Sequence, residues 1–389
     1  MKKFFIKSFG CQYNEWDAAR LSFVLKNVGM TEDNEIEAEI IFLLNCSVRK
    51  TGVDRVMSFT KNYIKSGKKV IVSGCILSHD RAIFEKKGAI LWDGESVSKL
   101  LQLLDITDKI STTEGNLNTN LVPIIKGCNN FCSYCAVPYT RGREISRSVD
   151  EICNDIKRIV ASGGTEIILL GQNVNSYMGV SSDIPPLAPS IRLSLRTGST
   201  LRGGETDNYT LENASSPLNL GGVRGGIEAG IEVGFAELLR IINDIPGDFV
   251  IKFTSNHPKD MTDDIIKAIA TLPKVAKEIH LPLQSGSNKI LKLMNRPYTR
   301  EQYLSLIEKI VQRIPNIKIS TDTIVGFPSE DEEDFQQTVE IFKLINFTQA
   351  FNNKYSPRSG TKAFELGDPI SWEEKQRRWR ILNELSYKK

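Results

Sequence analysis

The chain has 389 residues, of which 40% are hydrophobic and 25% charged, and its formal net charge is +3. This length predicts two or three domains of a globular protein. No stretch approaches the roughly 20 apolar residues of a membrane span, and residues 1–7 lack the apolar run of a signal peptide. We therefore expect a cytoplasmic protein without a membrane partner. A nucleic-acid partner stays open, because a polyanion needs only a local basic patch.

The first module, residues 1–108, alternates short apolar runs with helical patterns, which predicts a parallel α/β sheet between helices. The predicted strands are Phe4–Lys7, Ile40–Leu44 and Lys69–Ser73, with helices from Asn14 and from Thr51. A cysteine follows shortly after each strand, namely Cys11, Cys46 and Cys75. Because ligands gather at the carboxyl ends of parallel strands, these three cysteines are predicted to converge on one point.

A second module, residues 121–370, follows a polar, turn-rich linker at 109–120. Its predicted strands are Leu121–Lys126, Glu166–Leu170, Phe249–Phe253, Glu278–Leu281, Lys318–Thr321 and Phe347–Phe351. Its predicted helices include Val149–Ala161, Thr262–Ala270, Arg300–Arg313 and Asp331–Leu344. Six βα units in series predict a partial (β/α)6 parallel barrel with its chemistry at the carboxyl ends of the strands.

Two segments depart from this alternation. Residues 178–234 are rich in glycine and proline and hold one aromatic residue, Tyr209, so we expect a disordered insertion in one βα loop. The last segment, residues 371–389, carries a charged amphipathic helix over Trp372–Tyr387, which we expect to dock by its apolar stripe.

The central motif follows the first strand of the second module and holds Cys128, Cys132 and Cys135. With three and then two residues between them, these cysteines can bind three irons of a cubane and leave the fourth iron open, as in a catalytic iron–sulfur cluster. A zinc knuckle is the competing interpretation, but it needs a fourth Cys or His at short range. The nearest histidine, His79, lies far upstream, and Cys153 lies within a predicted helix, where an inert buried thiol is expected.

This spacing, with Tyr134 just before the third cysteine, resembles the signature of the radical S-adenosylmethionine (SAM) superfamily. Other runs are similar to those of its methylthiotransferases, and they cover nearly the whole chain outside the insertion. They are Phe9–Asn14, Asn45–Arg49, Ser73–Cys75, Ala136–Ser148, Leu170–Tyr177, Phe253–Pro258, His280–Ser287 and Thr321–Pro328.

The resemblance implies two [4Fe–4S] clusters and SAM as cofactors. It assigns Cys128, Cys132 and Cys135 to the cluster that binds SAM. It assigns Cys11, Cys46 and Cys75 to an auxiliary cluster that provides sulfur. Radical chemistry suits the replacement of an aromatic C–H by C–S–CH₃, since that C–H bond has no acidic proton for a general base. One SAM would supply the methyl group and a second one the radical.

The resemblance also assigns residues outside the cysteines, by position in the shared motifs. The candidates for the SAM pocket are Tyr134, Gln172, Gln284 and Gly326, and those for catalytic contacts with substrate or cofactor are Arg143, Glu144 and Arg147. For these loop residues a surface salt bridge or a hydrogen bond at a strand end is an equally good interpretation.

The motifs are most similar to the MiaB-type branch, which modifies carbon 2 of isopentenyl-adenosine beside the tRNA anticodon. The branch that acts on threonylcarbamoyl-adenosine is the runner-up, the ribosomal-protein branch is third, and a catalytically impaired iron–sulfur or RNA-binding relative is the other alternative. The resemblance implies tRNA as substrate, flavodoxin or ferredoxin as electron donor, and a monomer. Family members end in an RNA-binding TRAM domain, which we expect to be absent because this sequence ends at Lys389.

Overall fold

A computed structural model describes residues 2–48, 50–106, 117, 119–181 and 231–387. Its strands are β1 Lys3–Ser8, β2 Thr31–Glu32, β3 Ile40–Asn45, β4 Lys69–Gly74, β5 Ile90–Leu91, β6 Leu121–Pro123, β7 Ile125–Lys126, β8 Ile145–Ser146, β9 Glu166–Leu170, β10 Met178–Ser181, β11 Ile231–Gly234, β12 Val250–Phe253, β13 Glu278–His280, β14 Lys318–Val325 and β15 Gln349–Lys354. Its α-helices are α1 Gln12–Asn27, α2 Lys50–Lys65, α3 Ser78–Lys86, α4 Val97–Leu103, α5 Val137–Thr140, α6 Val149–Ala161, α7 Phe235–Asn243, α8 Asp263–Thr271, α9 Asn288–Leu293, α10 Arg300–Arg313, α11 Glu332–Leu344 and α12 Trp372–Tyr387.

The N-terminal module is a five-stranded parallel sheet in the order β2-β1-β3-β4-β5. Its central strand β3 is buried along its whole length, because successive side chains face opposite layers. Phe42 packs in the layer with α1 and α4, whereas Ile41 and Leu43 pack in the layer with α2 and α3. The predicted three-layer α/β module is confirmed.

The second module is a partial (β/α)6 barrel. Strands β6, β9 and β12 form one parallel sheet, and β13, β14 and β15 form another. Backbone hydrogen bonds of Ile251 with Lys274 and Ala276 bring the two sheets together. Strands β6 and β15 are the edges of the barrel, since no ladder joins them among the described residues.

The sequence predicts one continuous strand over Leu121–Lys126, but the structure divides this segment into two short strands, β6 and β7. Leu121–Pro123 pairs with β9, whereas Ile125–Lys126 turns away and pairs antiparallel with β8. Pro123 lacks an N–H and cannot continue a ladder as a donor, which favours a break at this point. The break has a consequence for the site: residues 127–144, which carry the cysteine motif, form one loop closed at its base by β7 and β8.

The prediction that residues 178–234 are disordered is wrong at the two ends of this segment. Met178–Ser181 and Ile231–Gly234 form an antiparallel ladder, with Val180 opposite Glu232. β-Branched side chains and a hydrogen-bonded partner strand order these ends despite their glycines. The rest of the insertion, residues 182–230, and most of the predicted linker lie outside the described residues.

The two modules are joined by buried polar and apolar contacts. Arg358, which follows β15, forms a salt bridge of 3.0 Å with Asp80 on α3, and both side chains are largely buried. On the other side, Tyr13 and Trp16 of α1 pack against Leu121 at the start of the barrel. These contacts bring the carboxyl ends of the N-terminal sheet close to the cysteine loop of the barrel.

The C-terminal helix α12 docks on the barrel by its apolar stripe, as expected. Leu382 is fully buried in the barrel core, and Trp379 donates a hydrogen bond of 2.8 Å from Nε1 to the carbonyl of Asn352 on β15. In the described part of the chain, no helix combines the length and the apolar composition that a membrane span requires.

Candidate functional site: two cysteine sites

The N-terminal cysteines lie at one edge of the sheet, after the three adjacent strands β1, β3 and β4. Cys11 is the N-cap residue of α1, Cys46 follows β3 directly, and Cys75 follows β4 directly. The backbone N–H of Cys75 donates to the carbonyl of Asn45 over 3.0 Å, so the last two loops are in contact. The predicted convergence therefore follows from the strand order.

A buried polar network holds these loops in place. Asn14 of α1 donates from Nδ2 to the carbonyl of Asn45 over 2.8 Å, and the Ser47 hydroxyl donates to the carbonyl of Cys75 over 2.7 Å. Gly10 and Gly74 lie so close to this network that a Cβ at either position would meet the Asn14 side chain or the Asn45 backbone within 2.6 Å. The loops therefore need glycine at both positions.

The N-terminal thiols differ in their exposure, because Cys11 is exposed, Cys46 half-buried and Cys75 buried. Burial, together with the negative charges that Cys75 and Cys11 would carry, raises the pKa of the Cys46 thiol to about 11. Burial likewise raises the pKa of Cys75. A bound metal centre would supply positive charge that favours the thiolate forms of these thiols.

The barrel cysteines lie on the loop that β7 and β8 close. Gly127 precedes Cys128 with φ of +79°, and a Cβ there would lie 2.0 Å from the carbonyl oxygen of Arg143, so only glycine fits. The other side of the loop is pinned to the end of α9. There the N–H of Ser133 donates to the carbonyl of Met294, and Asn295 donates from Nδ2 to the carbonyl of Phe131.

Burial also raises the pKa of thiols in the barrel site. Cys128 and Cys132 are buried and Cys135 is half-buried. Burial raises the pKa of Cys128, and burial together with Cys132 raises the pKa of Cys135 to about 12. Arg296, which is 7% exposed, donates from Nη1 to Cys132 Sγ over 3.4 Å and from Nε to the Tyr298 hydroxyl over 2.9 Å.

Both donor sets fit an iron–sulfur cluster. All cysteines of the described chain are free thiols, and among the described residues no group of three Cys, His, Asp or Glu side chains is arranged to bind a single metal ion. A cubane is compatible with such an arrangement, because each thiolate binds a different iron and the three need not surround one ion. Cys153 lies within α6 in the barrel core, as predicted for an inert thiol.

Three of the predicted SAM-pocket residues follow the carboxyl ends of barrel strands, namely Gln172, Gln284 and Gly326, and Tyr134 lies on the barrel loop. Gln172 accepts from the N–H of Gly127 over 2.5 Å, and Tyr134 packs against the apolar cluster that includes Phe327. Gln284 is buried with φ of +68°, a conformation that residues other than glycine adopt rarely. Such strained backbone is common at ligand sites.

Gly326 occupies a different environment from the one that its predicted role implies. Its N–H donates to Glu330 Oε2 over 2.6 Å, and a Cβ at this position would lie 2.3 Å from the Lys375 side chain of α12. The backbone donor is therefore already paired. Gly326 permits the close approach of the C-terminal helix, and its predicted contact with SAM stays a prediction.

Of the predicted catalytic residues, Arg143 and Glu144 end the cysteine loop, Arg147 follows β8, and each of the three has a partner within the protein. Arg143 is exposed and lies over the Phe131 ring at 4.3 Å, and Glu144 accepts from the Asn129 N–H over 3.1 Å. Arg147 pairs with Asp155 of α6 at 2.8 Å and donates from Nη1 to the carbonyl of Pro123 over 2.9 Å. All three stay predictions, and the contacts of Glu144 and Arg147 are those of residues that brace the loop.

Several buried polar atoms at the carboxyl ends of β9 and β12 have no hydrogen-bond partner within the described residues. They are Asn173 Oδ1, Asn175 Oδ1, Asn256 Oδ1 and His257 Nε2. His257 is neutral, because burial, Arg296 and Lys259 lower its pKa to about 2. Its Nδ1 accepts from the Lys259 N–H, so the proton is on the unpartnered Nε2. Unpaired buried polar groups are unfavourable, which marks this end of the barrel as a site for a polar ligand.

The sequence did not identify the two arginines that contact cysteine sulfurs. Arg141 donates from Nε to Cys75 Sγ over 3.0 Å, and Arg296 contacts Cys132. His280 of β13, to which the sequence assigned no role, lies with Nε2 2.8 Å from Asp322 Oδ2 on β14. The only signal in the sequence was the nearness of Arg141 to the cysteine motif, since nothing local shows which of several arginines is buried.

A six-stranded partial barrel with an open three-cysteine loop at its mouth defines the class of radical SAM proteins. Residues 122–342 match the Radical SAM superfamily, and residues 3–91 match a family described as Uncharacterized protein family UPF0004. Among solved structures, the chain is similar to the radical SAM methyltransferase TsrM from Kitasatospora setae, with a TM-score of 0.53 and 11% identity over 94% of this chain and 77% of that one. It is also similar to the cobalamin-dependent SAM radical enzyme OxsB, with a TM-score of 0.52 and 11% identity over 99% and 56% of the two chains.

Curated relatives narrow the class to one family. The tRNA-2-methylthio-N(6)-dimethylallyladenosine synthase of Aquifex aeolicus is 36% identical over 99% of this chain and 83% of its own length. The enzyme of that name from Clostridium tetani is 36% identical over 98% of this chain and 80% of its own. The chain belongs to this family of radical SAM methylthiotransferases, whose cofactors are SAM and [4Fe–4S] clusters.

Proposed function

We propose that this protein is a tRNA methylthiotransferase, which adds a methylthio group to carbon 2 of isopentenyl-adenosine beside the anticodon. The observation that carries the proposal is that both three-cysteine sites are present and joined. Helix α5 starts two residues after Cys135, and Arg141 at its end contacts Cys75 of the other site. The names of the 36%-identical relatives support the choice of substrate.

The short connection limits the distance between the two sites. Six residue steps separate Cys135 from Arg141, and a fully extended chain of that length spans at most about 22 Å. The helical turn of α5 shortens this path. A substrate base between the two sites would therefore be within reach of both, which a radical step followed by sulfur transfer requires.

Each set of residues has a proposed task. Cys128, Cys132 and Cys135 would hold the SAM cluster, and Cys11, Cys46 and Cys75 the auxiliary one. When bound, the first cluster would supply the electron that cleaves SAM to a radical, and the second the sulfur for transfer. The protein's part is to fix the loops: Gly127 and Asn295 hold the barrel loop, and Asn14 holds the N-terminal one.

The mouth of the barrel would hold SAM. Tyr134, Gln172 and Gln284 lie around it, and the unpartnered atoms of Asn173, Asn175, Asn256 and His257 offer it acceptors and one N–H donor. Arg143 is exposed beside the same loop and would contact the tRNA, since a guanidinium suits a phosphate. An electron donor of the flavodoxin or ferredoxin type would reduce the SAM cluster, and the chain would act as a monomer.

The test starts with anaerobic reconstitution by iron and sulfide. The protein is then incubated with SAM, dithionite and isopentenyl-modified tRNA, and the nucleosides are read by mass spectrometry. A methylthio-isopentenyl-adenosine peak is expected for the wild type and for Cys153→Ala, the matched control for a buried cysteine outside both sites. The peak should be absent in Cys132→Ala.

A wild type that holds clusters and cleaves SAM but modifies no isopentenyl-adenosine would contradict the proposed substrate. The same assay with threonylcarbamoyl-modified tRNA would then decide whether the runner-up branch is the right one.

A further inference from the structure

Arg141 is the residue through which the barrel contacts the auxiliary site. It follows α5 of the barrel, yet its guanidinium lies among residues of the N-terminal module. Nε donates to Cys75 Sγ over 3.0 Å, and Nη2 donates to Asn14 Oδ1 over 2.7 Å and to Asp17 Oδ2 over 2.9 Å. Its side chain is only 8% exposed, so these contacts are shielded from solvent.

The arrangement around Arg141 is specific in two respects. The guanidinium also lies over the Tyr13 ring, with Cζ 4.2 Å from the centroid, so it is held on one face by an aromatic ring and along its edge by three acceptors. In addition, Arg141 contacts the most deeply buried of the three thiols, whereas Cys11 is exposed. A guanidinium serves these acceptors from a planar fork while its face stacks on the ring, whereas a lysine ammonium is a compact charge without a flat face.

A cationic donor at a cluster ligand has a predictable electrostatic effect. Reduction adds a negative charge to an iron–sulfur cluster, and hydrogen bonds and positive charge at its sulfurs favour the reduced form. Because the contact is buried, water screens this interaction only weakly. The carboxylate of Asp17 lies 2.9 Å from Nη2 of the same guanidinium, and its negative charge has the opposite effect on the cluster.

We propose that Arg141 is a positioning residue that sets the reduction potential of the auxiliary cluster from the barrel side. This inference rests on the proposed function, since it assumes a cluster at Cys11, Cys46 and Cys75. Arg141 raises the potential, and Asp17 lowers it. The pair thereby makes the state of the sulfur-donating cluster depend on the docking of the two modules.

The test is a redox titration of the full reconstituted chain, followed by electron paramagnetic resonance. The auxiliary signal is identified by its loss in Cys46→Ala. In Arg141→Gln the ratio of reduced to oxidised auxiliary cluster should fall about tenfold at a fixed potential, equivalent to a shift of about 59 mV for a one-electron couple. In Asp17→Asn the shift should have the opposite sign.

Opposite signs separate this role from a structural one, because loss of folding would move both variants in the same direction. Arg141→Lys keeps the charge but not the fork, so its shift should lie between those of the wild type and Arg141→Gln. If Arg141→Gln fails to assemble the cluster, Asp17→Asn and Arg141→Lys decide the question. Arg20→Gln is the matched control, because Arg20 of α1 contacts the carbonyls of Gly94 and Glu95 and no cysteine.

Unchanged potentials in Arg141→Gln, or shifts of one sign in Arg141→Gln and Asp17→Asn, would overturn the inference and leave the proposed function intact. A wild-type chain that assembles a cluster only at Cys128, Cys132 and Cys135 would overturn both.

Discussion

The fold brings together the cysteines of the two sites in different ways. The barrel cysteines lie on one short loop, closed at its base by β7 and β8 and pinned by the end of α9. The N-terminal cysteines are far apart in sequence and meet only because β1, β3 and β4 are adjacent and parallel. The first site is therefore a local structure, whereas the second depends on the tertiary fold of its module.

The largest expected effects are losses of activity, and they differ between substitutions in the two cysteine sites. Cys132→Ala should abolish both SAM cleavage and tRNA modification, because it removes a ligand of the SAM cluster. Cys46→Ala should abolish modification alone and leave the formation of 5′-deoxyadenosine within about twofold of the wild type. Chromatography of both products measures this, and loss of SAM cleavage in Cys46→Ala would contradict two independent sites.

Substitutions in the two hydrophobic cores test whether each cysteine site depends on the folding of its own module. Phe42 is fully buried in β3, and Phe42→Ala should destabilise the protein by about 3–5 kcal/mol. Because the N-terminal site depends on this sheet, its cluster should be lost before the barrel cluster in a urea titration followed by absorbance. Phe235→Ala, at an equally buried aromatic position in the barrel, should leave the N-terminal cluster in place.

Two glycines of the barrel loop share a backbone conformation but differ in their surroundings. Gly127 and Gly142 both have φ of +79°, but a Cβ at Gly127 would meet the carbonyl of Arg143, whereas one at Gly142 would meet no described atom within 4 Å. Gly142→Ala should destabilise the loop by about 1–2 kcal/mol from backbone strain alone. Gly127→Ala should add about 1–3 kcal/mol from the clash.

Iron content and thermal unfolding are measured for both variants, Gly127→Ala and Gly142→Ala. We expect Gly142→Ala to keep its iron and Gly127→Ala to lose the barrel cluster. Equal behaviour of the two variants would show that the close approach to Arg143 does not constrain the loop.

The last expected effect is a pH dependence of stability at the contact of α12 with the barrel. Burial raises the pKa of Glu330 from its usual 4.5 to about 6, against the opposing effect of Arg378. Between these values the folded state binds this proton more than the unfolded state does. Protonated Glu330 therefore contributes its full share of the free energy of unfolding below pH 4.5. This contribution, about 2 kcal/mol, is lost as the pH rises through 6.

Glu330→Gln should remove this pH dependence, because an amide does not titrate. Urea unfolding of both proteins at pH 4.5, 5.2 and 6.5 measures it. A stability difference between them that does not change with pH would contradict the raised pKa.

The same contrast explains which parts could be predicted from sequence. The βα order and both cysteine sets were accessible, since strand periodicity and Cys spacing are properties of the sequence itself. The break after Pro123 and the pairing of Met178–Ser181 with Ile231–Gly234 were not, because they depend on which strand lies alongside. The roles of Arg141 and Arg296 were also hidden, since burial of an arginine against a thiol is decided by contacts across modules or distant loops.

The most direct test of the central claim, that the fold builds two separate cluster sites, is iron quantification with Mössbauer spectroscopy on three reconstituted proteins. These are the wild type, a variant with Cys11, Cys46 and Cys75 replaced by alanine, and one with Cys128, Cys132 and Cys135 replaced. The account predicts about eight irons in the wild type and about four in each variant, in [4Fe–4S] form. About four irons in the wild type, or none in either variant, would contradict it.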